Sequence, residues 1–199
     1  GISEDAKNVA VYQKEEYVGG TVLSEAYLAY KVKNTEVKVG RQFIATPLVS
    51  GSGTRFMRES FQGATLVNTD LPQTTIWAGW IDKFQGRTSS VEGYAAGNPG
   101  SFENRVVLIG SNPNGSTSTA TTFDDAYSVA VTNKSINNLT LTAQFAMVND
   151  VWKSATSNGD LGMYYTEAKY VIPMSGFKLG LDGLFRGSYV SSATKVFDD

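Results

Sequence analysis

The chain has 199 residues, with 18% charged, 20 glycines, 10 tyrosines, 10 phenylalanines and a net charge of −2. It contains no cysteine and no histidine, which excludes disulfides, zinc–thiolate centres, thiol nucleophiles and any histidine base or metal ligand. The charged fraction falls below the roughly 25% usual for a soluble domain, and the near-neutral balance offers no broad field for nucleic acid.

No run of 18 apolar residues occurs, so no membrane helix is expected. The opening GISEDAKNVAVYQKEEY lacks the basic and apolar regions of a signal peptide, as expected of a mature chain or one that starts internally. Within it, NVAVYQ reads as a first short strand. The rest reads as hairpins. GTVLSEAYLAYKVKN and TEVKVGRQFI meet around Lys33 to Thr35, and SFQGATLVNTD and QTTIWAGWIDKF meet around Leu71 and Pro72. FDDAYSVAVTNKS and NLTLTAQFAMVND turn around Ile136 to Asn138, and LGMYYTEAKYVIP and SGFKLGLDGLFRGSY turn at Met174 and Ser175. This gives about eight or nine strands of roughly 9–13 residues, longer than the usual ~5–6 and long enough to cross hydrocarbon at a tilt. The links between hairpins are long, at 45–60, 85–121 and 151–160, and the second includes the Gly/Ser/Thr/Asn-rich GSNPNGSTSTATT. Short turns at one end and long loops at the other are the habit of outer-membrane barrels.

Successive strand residues point to opposite faces. In the last strand Phe177, Leu179, Leu181, Phe185 and Tyr189 share one face, while Lys178, Asp182 and Arg186 share the other. Leu139, Leu141, Ala143, Phe145 and Met147 likewise oppose Thr140, Thr142 and Gln144. In TEVKVGRQFI the pattern blurs, because Arg41 shares parity with Val37, Val39 and Phe43. TIWAGWI is apolar on both faces. Tyr27, Tyr30, Trp77, Trp80, Tyr127, Tyr164, Tyr170 and Tyr189 are candidates for interfacial aromatic girdles. Alternation also suits a soluble or surface-exposed β-sandwich, such as an adhesin-like binding module, which is the alternative reading.

Motifs for chemistry are sparse. GSGTRF (51–56) lacks the Lys-Ser/Thr of a phosphate loop and is read as a loop. The pairs Asp124/Asp125 and Asp198/Asp199 lack the spacing of a calcium loop, so no metal, cofactor or enzyme activity is expected.

One segment is more specific. VGRQ at 39–42, TPL at 46–48, TRFMRESFQGATL at 54–66 and WAGW at 77–80 together resemble the OprD-like outer-membrane porins, and among them the campylobacterial and related epsilonproteobacterial porins. The later hairpins look like successive hairpins of the same family. The resemblance covers the chain from about residue 20 onward. It implies an all-β, antiparallel, up-and-down transmembrane barrel of about 16–18 strands that passes small hydrophilic solutes or ions across the bacterial outer membrane. Members often form trimers, and need no cofactor. The resemblance also implies that loop 45–60 folds toward the lumen and narrows it. Arg41, Arg55 and Arg58 then become constriction candidates, with Glu59 as a neighbouring carboxylate. Glu167, Lys169, Lys178, Asp182 and Arg186 become lumen-facing wall candidates by parity. The chain is about half the length of such a porin and ends in SSATKVFDD, without a last strand closing on an aromatic residue. The expectation is therefore a single barrel region over 1–199 that is an internal portion of a longer porin.

Overall fold

The computed structural model describes residues 23–51, 58–86, 102–112, 115–153 and 158–191. NVAVYQ, Arg55 and the Asp198/Asp199 pair lie outside the described residues.

The strands are β1 (Ala26–Val32), β2 (Thr35–Gln42), β3 (Ser60–Asn68), β4 (Thr74–Gln85), β5 (Phe102–Glu103), β6 (Arg105–Asn112), β7 (Gly115–Thr122), β8 (Ala126–Asn133), β9 (Leu139–Lys153), β10 (Asn158–Met174) and β11 (Phe177–Ser191). Eight of them form an antiparallel meander in the order β1-β2-β3-β4-β8-β9-β10-β11. β5 pairs with the end of β4, and β6 and β7 form a separate hairpin. The sheet is open, with β1 and β11 at its edges among the described residues.

The four expected hairpins form, the last turning at Ser175 and Gly176, one residue later than expected. The turn residues adopt the backbone that tight reversals need: Lys33, Gln73 and Asn138 have φ of 51°, 54° and 65°, and Gly176 has 87°. All four turns lie at one end of the sheet. Two expectations about the other end are corrected. The link 85–121 is not a plain loop, since β5, β6 and β7 lie within or across it; Ser- and Thr-rich β7 pairs through its backbone. The link 151–160 is mostly strand, because β9 runs to Lys153 and β10 starts at Asn158. Lengths also differ from expectation: β1, β2 and β8 have 7, 8 and 8 residues, while β9, β10 and β11 have 15, 17 and 15.

Register sorts the side chains onto two faces. One face carries Leu28, Tyr30, Val37, Val39, Leu66, Ile76, Trp80, Tyr127, Val129, Phe145, Tyr164, Leu181, Phe185 and Tyr189 through the paired positions of adjacent strands. Much of it is bare: Leu28 is 83% exposed and Phe185 65%. An apolar surface of this breadth has to meet something other than water. The opposite face carries Lys31, Glu36, Lys38, Thr65, Ser128, Thr142, Gln144, Tyr165, Glu167, Lys169, Asp182 and Arg186. Two of the girdle candidates, Tyr27 and Trp77, fall on this second face by register, where Tyr27 opposes Gly40 and Trp77 opposes Val67 and Ala130.

The core is small and lies on the second face. Ile44, Phe61 and Ile81 are buried together, and Val49, Trp77, Phe84 and Ala126 pack against them. This resolves β4. Trp80 and Ile76 belong to the bare apolar face, whereas Trp77 and Ile81 are covered from the other side by residues that follow β2.

Candidate functional site

The segment after β2 reads IATPLVSG. Its ends close on each other: Gly51 N donates to Ile44 O at 3.0 Å, and Ala45 bridges Ser50. Pro47 supplies a fixed φ at the tip of a tight reversal. Thr46 closes that reversal, its N donating to Val49 O at 2.7 Å and its Oγ1 to the same oxygen at 2.8 Å. Val49 N donates to Thr46 Oγ1 at 3.1 Å.

This small hairpin folds over the second face rather than away from the sheet. Ile44 and Val49 are its apolar underside, and they meet Phe61, Trp77 and Ile81. Its tip reaches Gln144 in the middle of β9. Leu48 N donates to Gln144 Oε1 at 2.9 Å, and Gln144 Nε2 donates to Thr46 Oγ1 at 2.9 Å. Gln144 Nε2 also donates to Ser128 Oγ at 2.8 Å, and Ser128 Oγ donates to Phe145 O at 2.8 Å. The loop therefore spans from β2 to β9 across the intervening strands, on the side that carries the charges.

The base of the loop is held by aromatic contact. The Arg58 guanidinium sits 4.4 Å from the centroid of Phe43, which joins the chain leaving β2 to the chain approaching β3. Arg58 is exposed, Glu59 is half-buried, and Glu59 lies against Gly51.

Glu167, Lys169, Lys178, Asp182 and Arg186 share the loop-covered face. Lys169 stands opposite Asp182 and forms ion pairs with Glu167 at 2.8 Å and Asp182 at 3.8 Å. On β1 and β2 the same face carries Lys31 opposite Glu36, and Lys38 paired with Glu36 at 3.0 Å. The sequence reading did not single out Lys31, Glu36 and Lys38, although their alternation with Tyr30, Val32, Val37 and Val39 marks the face they share.

Arg41 stands apart from Arg186. It lies on the apolar-face parity, opposite Ala26 and Gln62. Its Nε donates to Gln62 Oε1 and its Nη1 to Leu23 O, both at 3.3 Å, and its guanidinium lies 4.3 Å from the Phe102 centroid. On this geometry the Arg41 side chain ties β2 to its neighbours at the loop end. The β1–β2 and β2–β3 ladders stay in register through Arg41.

At the same end, on the apolar face, Asp125 collects two aromatic hydrogen bonds. Trp80 Nε1 and Tyr127 OH donate to its Oδ2 at 3.1 and 2.7 Å, and Asn149 Nδ2 donates to Oδ1 at 2.7 Å. The Asp124/Asp125 pair thus serves a hydrogen-bond cluster, and among the described residues no group of acidic side chains is arranged to hold a metal ion.

The described strands thus form an antiparallel meander with a bare apolar face, a charged face and a loop laid across the charged side. The sequence matches the OprD family of outer membrane porins over residues 22–183, and the chain belongs to that family, one of channels rather than enzymes. The soluble-sandwich alternative gives way to this assignment. No curated protein sequence matches the chain. Two solved structures from Pseudomonas aeruginosa share its fold. OccD3 (OpdP) is 19% identical with a TM-score of 0.62, over 86% of this chain and 35% of its own. OpdL is 16% identical with a TM-score of 0.60, over 81% of this chain and 37% of its own. The chain thus spans little more than a third of each.

Proposed function

We propose that this chain is the constriction-bearing portion of a passive diffusion channel for small hydrophilic solutes or ions, with outer-membrane lipid against its apolar face. The observation that carries this reading is the loop 44–51 seated across the charged face and bonded to Gln144. A segment there reduces the aqueous cross-section, and a narrow passage between low-dielectric walls strengthens the field of every fixed charge that lines it.

On strands β1, β2, β10 and β11 the loop-covered face presents Lys31, Lys38, Lys169, Lys178 and Arg186 against Glu36, Glu167 and Asp182. Cations outnumber carboxylates there, which supports a preference for anions or for solutes with an anionic group. Arg58, together with Arg55 and Glu59, is assigned to the constriction. Arg41 is assigned to the rim. The proposal extends to the whole of 1–199 as one barrel region, to a homotrimeric assembly of the complete protein, and to a kinship within the family with the campylobacterial porins, resting on the VGRQ, TPL and WAGW segments.

The test is a planar-bilayer recording of the full protein under a salt gradient. The expected result is stable, ohmic pores with an anion-favouring reversal potential that moves toward zero in the Arg55→Ala and Arg58→Ala variants. A selectivity unchanged by both substitutions would remove those two residues from the proposal, and a protein that folds in lipid without conducting would remove the channel reading itself.

A further inference from the structure

We infer that Gln144 is the positioning residue of the constriction: its side-chain amide holds loop 44–51 in one place and so sets both the width and the steadiness of the passage. The inference rests on the channel reading given above.

Gln144 sits in β9, 96 and 98 residues from its two loop partners, and only 4% of it is exposed. Both N–H groups and the oxygen of its amide are engaged. The oxygen accepts from Leu48 N, and the two N–H groups go to Thr46 Oγ1 and Ser128 Oγ. The direction of each bond is fixed by its neighbours. Ser128 spends its only proton on Phe145 O, so its oxygen has to accept from Gln144. Thr46 spends its proton on Val49 O, so its oxygen has to accept as well. Two acceptors on one side and a backbone donor on the other call for an amide, oriented with its nitrogen toward the hydroxyls. No other side chain type of this size supplies that set.

Among the described residues, the loop's other anchors do not fix its tip. The apolar contacts of Ile44 and Val49 are non-directional and tolerate sliding. The Arg58–Phe43 contact holds only the base. Register along the wall thus depends on Gln144. A carboxylate at this position would accept from Leu48 N but could bond the two hydroxyls only by turning their protons away from Phe145 O and Val49 O. An isosteric apolar group would leave Leu48 N without its acceptor and Ser128 Oγ without its donor, and buried groups in that state are costly.

The test uses the full protein, which offers a cysteine-free stretch from 1 to 199 for engineering. Gln144→Glu and Gln144→Leu are compared with the parent by single-channel recording, with heat-modifiable gel mobility as the check on barrel formation. The expected result is a retained mobility shift with a changed conductance and a several-fold rise in open-channel current noise. The double variant T46C/Q144C then tests the tip directly: bridging the two thiols with a short bifunctional methanethiosulfonate reagent, which spans the length of the lost glutamine side chain, is expected to quieten the current, and reduction to restore the noise. Wild-type conductance and noise in both single variants would overturn the inference while leaving the channel intact. Should the single variants fail to form barrels, the double variant decides, and a current indifferent to bridging the two thiols would overturn the inference in the same way. A parent protein that forms no pore at all would instead count against the channel reading.

Discussion

The ring of Tyr189 on β11 lies directly on Gly162 of β10, its register partner across the ladder, so closely that a β-carbon at 162 would overlap the ring. Two positions along, Tyr164 covers Gly187 in the reverse sense, and its ring stands 5.7 Å from that of Phe185. Each glycine leaves room for a flat aromatic ring to cover the backbone on the apolar face, which compensates for glycine's poor strand packing. Gly162→Ala is expected to push Tyr189 off the sheet into the surrounding lipid and to cost about 1 kcal/mol of stability. Urea titration of the full protein in lipid vesicles measures this, and an unchanged midpoint would show that the ring makes no net contribution there.

The two-face assignment has a sharp test three residues apart on β11. Leu181 belongs to the bare apolar face and Leu184 to the face of Asp182 and Arg186. If lipid covers the first face, Leu181→Arg should cost about 2–4 kcal/mol near the bilayer centre, whereas Leu184→Arg should be tolerated. Comparable losses, or the reverse order, would contradict the orientation. The comparison is made on refolding yield and unfolding free energy in the same vesicles.

Much of this arrangement was readable in the sequence, because period-two alternation is a direct image of a sheet with two different solvents. Leu139 to Met147 and Phe177 to Tyr189 gave their faces away by parity alone, and the four short turns announced themselves through Asn, Pro, Gly and Ser. TIWAGWI could not be read, since its two apolar faces have two different causes: Trp80 looks outward, and Trp77 and Ile81 are covered by the hairpin 44–51. Nothing in the neighbourhood of Gln144 indicates that a loop almost a hundred residues earlier will land on it. The β6–β7 hairpin was hidden for another reason: its Ser, Thr and Gly content reads as loop, while its pairing is made by backbone groups that every residue carries.

Gly40 has φ of 130°, a backbone that L side chains rarely adopt, and a β-carbon there would run into the backbone of Ala26 and Tyr27. Its partner across the β2–β3 ladder is Gly63. Gly40→Ala is expected to destabilise by about 1–3 kcal/mol, the usual cost of holding a side chain in a disfavoured backbone region. Gly180 has open space around its α-carbon, so Gly180→Ala should change stability by no more than about 0.5 kcal/mol. Equal effects of the two substitutions would show that backbone strain is not what selects glycine at 40.

Asp125 offers a pH test outside the membrane-spanning strands. Its partial burial opposes ionisation, but hydrogen bonds from Tyr127, Trp80 and Asn149 outweigh that and hold the carboxyl below its ordinary value of 3.8. A depressed folded value means that the ionised form is favoured by folding. The stabilisation is present above the unfolded value and is lost as pH falls from there through the folded value. Acid unfolding of the parent should therefore be steeper in this range than that of Asp125→Asn, which has no proton to take up. Superimposable acid profiles would sink the assignment.

Lys169 sits between Glu167 and Asp182 on the charged face, at 2.8 and 3.8 Å, with about half of its side chain exposed. An ion pair in contact with water adds little to stability, about 0.2–1 kcal/mol, so its removal should leave the barrel nearly as stable. Its effect on the field is larger. Lys169→Ala leaves two carboxylates without their shared cation, changing the local balance from −1 to −2 by the count of these three groups. The reversal potential in a salt gradient should then shift toward cations, and Asp182→Asn in the same background should bring it part of the way back. The additional substitution separates a field effect from a structural one, because a distorted wall would not be repaired by removing a second charge. A selectivity that ignores both changes would place this cluster away from the path of the permeating ion.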